Sequence, residues 1–170
     1  QFDLELGEAG RLATLWLRIG TCVGLLLGGP WADFWARRAR GGRTAVPLIG
    51  MGLWIPALFI VGTTDSLMLL KVAMSAFGLG LGLYQANLWT TTFEVIDPAA
   101  RATAIGFLNV IGGMLGAWAS PLFGYIQDEG FVSNSGTIVA ALSLLGIAGV
   151  AIFVVSIKFF LPRDYRGLIK

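Results

Sequence analysis

Histidine is absent from this sequence, and cysteine occurs once, at Cys22. Without histidine the chain lacks the commonest metal ligand and the side chain that most often serves as general base. A lone cysteine forms no disulfide within the chain, and no cysteine cluster is available to hold zinc. Charge is scarce as well. Only 13% of residues are Asp, Glu, Lys or Arg, against roughly 25% in an ordinary soluble domain. So little polar material does not cover a water-facing surface. The centres of the long apolar runs contain no acid, so no carboxylate pair sits at one depth for general acid–base chemistry. The chain is therefore not expected to be an enzyme. No cofactor, no metal and no nucleic-acid partner is implied.

What the chain has instead is apolar length. Hydrophobic residues make up 56% of it, and the mean hydropathy is +0.77. A helix that crosses a bilayer needs about 20 mostly apolar residues. Five such blocks follow one another, at about 8–32, 44–62, 65–93, 102–126 and 135–160. They are long and continuous rather than alternating, which favours helices over barrel strands. The expected fold is all-α, a polytopic membrane protein with five transmembrane helices. The connections are too short for a separate soluble domain. The opening residues are acidic and lack the pattern of a signal peptide, and the first residue is Gln1. The chain is expected to be part of a longer polypeptide.

The longest polar interruption runs from Gly29 to Arg43 and carries Arg37, Arg38, Arg40 and Arg43, with Asp33 at its mouth. If successive spans alternate in direction, this loop shares a side with Arg101, Lys158, Arg163, Arg166 and Lys170. Nine basic residues then lie on that side against two, Arg11 and Lys71, on the other. Short basic loops beside spans lie on the cytoplasmic side. The expected location is an integral, multi-pass plasma or inner membrane protein with a cytoplasmic C-terminus and Gln1 outside. The basic tail serves as a topology signal or leans on anionic membrane lipid.

Glycines recur inside the blocks. Gly20, Gly24 and Gly28 repeat every four residues, as do Gly112, Gly116 and Ser120. Small residues at this spacing let helix backbones approach closely in lipid, so both faces are expected to pack on other helices. Gly78, Gly80 and Gly82 make the third block soft or closely packed. Pro56 and Pro121 each remove a backbone donor and are potential kinks.

Gly29-x-x-x-Asp33-x-x-Ala36-Arg37-Arg38 resembles the G-x-x-x-D-[RK]-x-G-[RK]-[RK] loop of the major facilitator superfamily, with Phe34 and Ala36 as departures. In that family the loop joins helices two and three, and a copy joins helices eight and nine. The segment from Asp97 to Asn109 resembles the entry into the eleventh helix of these transporters, and Ser120 to Asp128 its exit. Leu6-Gly7-Glu8-Ala9-Gly10 is similar to the outer start of the eighth. The resemblance covers nearly the whole chain. It implies that the five blocks correspond to helices 8–12 of a twelve-helix transporter fold, with residues 1–170 a partial C-terminal bundle. The missing N-terminal half of the same polypeptide would be its partner. Within the superfamily, the anion:cation symporter group and the spinster-like group look most similar. The resemblance implies alternating access, with substrate bound near the midplane between two six-helix halves.

Arg18 lies about three turns inside the first block. A charge there faces a cavity or a partner by default. It meets a substrate carboxylate or phosphate through bidentate hydrogen bonds, or it pairs with an acid on another helix, or it snorkels. Thr21 is near its face, and Cys22 is read as inert packing. In the third block Tyr84, Asn87 and Thr91 share a helix face and either line a cavity or bond between helices. Trp89 is an interfacial anchor or a stacking surface. Asn109 on the fourth block carries the same two readings, and Trp118 is similar. The resemblance implies gating by Asp33 with Arg37, Arg38, Glu94 and Arg101, the loop acid helping to hold one side closed. Asp33 would favour a helix N-terminus, and Arg37 and Arg38 would pair with acids, Glu94 and Asp97 being the candidates, or with lipid head groups. A solvated loop is the plainer reading.

The expectation is a secondary transporter moving a small organic, anionic solute, coupled to a proton or sodium gradient. A lipid-like substrate carrier and a non-transporting membrane subunit are the alternatives.

Overall fold

The computed structural model describes residues 6–38, 42–128 and 135–159. The described chain is almost entirely helical, with five long helices: α1 (Leu6–Ala36), α2 (Ala45–Thr63), α3 (Leu67–Val95), α4 (Arg101–Asp128) and α5 (Ser135–Phe159). All five are long and apolar enough to cross a membrane. Their bounds fall within a turn of the predicted blocks, and α1 differs most.

α1 runs through Pro30 and on to Ala36, so Asp33 lies in the last turn of a helix rather than at the start of a loop. The predicted helix N-terminus for Asp33 is corrected accordingly. Residues 31–36 contain neither Gly nor a second Pro to stop the helix. The carboxylate therefore sits where the helix dipole disfavours an anion. A 3₁₀ turn at Gly42–Thr44 then leads into α2. The α2–α3 connection is tight. Ser66 caps α3 by accepting from the Leu69 amide at 3.4 Å, and the Thr64 hydroxyl accepts from the Ser66 amide at 3.2 Å.

α3 packs between α1 and α2, and α2 packs in turn between α3 and α5. Glycines make this layer close. Gly78 and Gly82 face the α1 backbone at Leu17, Thr21 and Gly24, while Gly20 and Gly24 face α3 at Ser75 and Leu79. Gly80 lies 200° around α3 from Gly78 and faces α2. A Cβ built on it would come 2.5 Å from the Gly50 carbonyl oxygen. Gly62 packs likewise on Gly136 and Ala140 of α5. The Gly78-x-Gly80-x-Gly82 run is thus the close-packed device, presenting glycine to opposite neighbours.

The pairings fix direction. Leu17 meets Gly78 and Gly28 meets Ala86, so α1 and α3 run parallel; Gly50 meets Tyr84 while Trp54 meets Gly80, and Met51 meets Gly149 while Gly62 meets Gly136, so α2 is antiparallel to α3 and α5. The C-terminal ends of α1 and α3 therefore share one end of the layer. Ala32, Val46 and Leu83 form a small buried cluster below the middle of the layer. With Pro47, itself fully buried, it fastens the α1–α2 connection.

α4 behaves differently. Among the described residues it packs on little beyond the 3₁₀ turn Pro98–Ala100 that precedes it. Every side chain from 106 to 118 is exposed, and nothing stands within 4 Å of a Cβ added at Gly106, Gly112, Gly113, Gly116 or Gly124. The expected burial of the Gly112–Gly116 face is corrected: among the described residues no helix lies against it. The Ser120 side chain lies outside the described residues.

Candidate functional site

Arg18 points away from the glycine face of α1 and is exposed. Residues 11, 14 and 18 fall on one side of a helix by their spacing of three and four. Arg11, Thr14 and Arg18, with Gly10 and Leu15, line an open groove of about 570 Å³. Arg11 is held at its upper end by donating from Nε to the Gly7 carbonyl at 3.3 Å. The groove thus carries two guanidinium groups and a hydroxyl against an aliphatic wall. A guanidinium in apolar surroundings binds an anion more strongly than one in water. Arg11 and Thr14 were not singled out from the sequence. The spacing that placed Tyr84 with Asn87 also joins them to Arg18.

The other polar candidates do not converge on this groove. Thr21 is buried against α3, and its hydroxyl donates to the Leu17 carbonyl at 2.8 Å within its own helix. Asn87 is 2% exposed. Its Nδ2 donates to Gly28 O of α1 and to Leu83 O of α3, both at 3.1 Å. That is the interhelical role among its two readings. Gly28 lies ten residues below Arg18, about 15 Å along the helix, so Asn87 and Arg18 sit at different depths. Tyr84 turns to α2, its ring 5.4 Å from Trp54, which in turn lies 6.2 Å from Phe77. Trp54 was missed because its block carries no polar neighbour to draw notice. Tyr84 and Asn87 thus serve opposite flanks of α3. Thr91 continues α3, but its side chain lies outside the described residues. Asn109 and Trp118 are exposed on α4. Cys22 is exposed on α1 rather than packed.

The gating candidates form local contacts. Asp33 Oδ1 accepts from Arg43 Nη2 at 2.5 Å across the α1–α2 connection. Arg38 lies over the Phe34 ring, 3.7 Å from its centroid, and Arg37 is exposed. Asp97, offered as a partner for these arginines, caps its own 3₁₀ turn by accepting from the Ala99 amide at 2.8 Å. Arg101 donates to the Phe93 carbonyl at 2.9 Å and the Ile96 carbonyl at 3.4 Å, which ties the end of α3 to the start of α4. Glu94 is in α3, and its side chain lies outside the described residues. Arg43, one of the arginines that follow Asp33, and Phe34 are the contacts that the sequence did not specify. One compensates the misplaced carboxylate, and the other lies four residues before Arg38. No group of three or more His, Cys, Asp or Glu that could hold a metal occurs among the described residues.

No protein-family model, curated protein or solved structure matches this chain.

Proposed function

We propose that this chain is part of a secondary transporter of the major facilitator type and that Arg18 meets an anionic substrate. The observation that carries the reading is Arg18 itself, an exposed cation in the middle of an apolar helix, opening onto a groove that holds a second guanidinium and a hydroxyl. Desolvating a guanidinium without a partner is unfavourable, and a substrate carboxylate or phosphate would supply that partner. The parallel course of α1 and α3 agrees with spans that alternate in direction. On the charge count, the end bearing Arg37, Arg38, Arg43 and Arg101 is cytoplasmic. Coupling is assigned to a proton or sodium gradient. The α1–α2 connection, with Asp33 at the end of α1, acts as part of the gate.

The test is uptake of small labelled carboxylates into liposomes containing the native polypeptide. Arg18→Gln is expected to lower uptake about 10- to 100-fold, the worth of a charge-assisted hydrogen bond pair, with membrane insertion unchanged. Arg18→Lys should keep part of the activity, because it retains the charge but not the bidentate fork. Full uptake by Arg18→Gln removes Arg18 from the site. A lipid-like substrate is the second reading, favoured by the bare apolar length of α4. Competition by small carboxylates separates the two.

A further inference from the structure

The last two turns of α1 divide their side chains between two directions. Ala32 turns inward and is 1% exposed, and Asp33 reaches Arg43. Trp31, Phe34 and Trp35 follow at i, i+3 and i+4, so they share one face; Arg38, in the turn just past the helix end, lies over Phe34, and all four are exposed. Leu27, exposed on the same stripe, continues it toward the middle of the span. The guanidinium of Arg38 lies 3.7 Å from the Phe34 ring centroid, close enough for cation–π attraction. The aromatic ring therefore holds the cation at the polar end of an apolar stripe. Arg37 is exposed beside it. Asp33, the single acid between residues 30 and 44, is engaged by Arg43, and among the described residues no acid pairs with Arg37 or Arg38.

We propose that this stripe is a binding site for an anionic phospholipid. Arg37 and Arg38 meet the headgroup phosphate. Trp31 and Trp35 sit at the level of the glycerol esters, where an indole keeps its ring in the apolar layer and its N–H toward polar oxygens. One acyl chain lies along Leu27. An aromatic band alone accepts any lipid, and a pair of arginines alone accepts any small anion. The two joined at one helix end, with the cation stacked on the band, select a ligand that is anionic at one end and apolar at the other. The inference needs only that α1 crosses a membrane, and it stands apart from the transport reading.

Native mass spectrometry of the delipidated full polypeptide in detergent, titrated with dioleoylphosphatidylglycerol or dioleoylphosphatidylcholine, tests it. The wild type is expected to favour the anionic lipid by about tenfold in Kd, from attraction of two arginines near the headgroup. Arg37→Gln/Arg38→Gln should bring that ratio to within about twofold, while the Arg37→Lys/Arg38→Lys protein keeps most of it. Phe34→Leu should give an intermediate ratio, since the charge stays and the stack is lost. Lys71→Gln, near the start of α3 and far from the stripe, should leave the ratio unchanged. Because the ratio is taken within each variant, a general loss of folding does not imitate the effect. The proposal is overturned by a wild type without preference, by a double glutamine variant that retains it, or by Phe34→Leu matching the wild type. Displacement of the lipid by excess inorganic phosphate would show a free-anion site instead and would equally overturn it.

Discussion

α1 and α4 carry the same small-residue spacing and meet different fates. On α1, Gly20, Gly24 and Gly28 lie against α3 so closely that an added Cβ at Gly28 would stand 2.7 Å from the Ala86 Cβ. On α4, Gly112 and Gly116 look onto open space. The difference lies in the partner. α3 presents Gly78, Gly82 and Ala86 with the same four-residue step, at levels that match α1 because the two helices run parallel. Two grooves then interlock along their length, and Asn87 adds a hydrogen bond at the end. Among the described residues no helix brings a complementary ladder against α4. Spacing on one helix permits close packing, and a second ladder in register brings it about.

The sharpest way to break this comparison is at Gly82. A Cβ there would meet backbone of α1 on several sides, with Gly24 Cα and Leu25 N both at 2.8 Å. Backbone does not rotate away as a side chain does. Gly82→Leu is expected to destabilise the 170-residue chain by about 3 kcal/mol, the upper range for overpacking. Thermal melting in detergent measures it. A loss below about 0.5 kcal/mol, the size of an ordinary surface change, would mean that α1 and α3 are not in this register.

Much of this was legible in the sequence, and the reason is periodicity. Continuous apolar runs placed all five helices to within a turn. The four-residue glycine step on α1 and the two-residue run in α3 marked the closest contacts. What stayed hidden needed the partner's position. Nothing local says that Gly78 and Gly82 serve α1 while Gly80 serves α2, nor that Tyr84 and Asn87, expected on one face, part to opposite flanks. Three residues apart they differ by about 60° in direction, enough to split them when a helix is enclosed on both sides. The α1 terminus was placed at about residue 32, where the apolar run gives way to the polar stretch, whereas the helix carries on to Ala36. Arg18 was legible as a singular charge, but its groove was not, since Arg11 and Thr14 stand out only once α3 has claimed the other face.

Asn87 sharpens the same comparison at a lower magnitude. Asn87→Leu keeps approximate volume and removes the bond to Gly28 O while leaving the glycine ladder intact. Hydrogen bonds between membrane helices are worth about 0.6 kcal/mol on average and up to about 1.7. Full burial and two acceptors put this one near the upper half, so a loss of about 1 kcal/mol is expected in the same melt. Uptake measured alongside it separates the two readings of this residue. A stability loss with transport retained is the outcome of a packing bond. Transport lost at unchanged stability would return Asn87 to a cavity.

The smallest effect is expected where the spacing is the same and the partner is missing. Gly116→Leu places four carbons where nothing stands within 4 Å of the new Cβ. Replacing glycine in a helix interior also relieves backbone entropy, by up to about 1 kcal/mol toward the better helix formers. The predicted change for the 170-residue chain is therefore small, within about 0.5 kcal/mol of zero or slightly stabilising. This variant is informative because its sequence context mimics Gly24 so closely. If Gly116→Leu destabilises as Gly82→Leu does, α4 has a tight partner within this chain, and register rather than absence separates the two helices. If it is neutral here and destabilising in a longer native polypeptide, the second ladder lies in that additional chain. The pair of measurements thus locates the missing face of α4 without any prior assumption about what carries it.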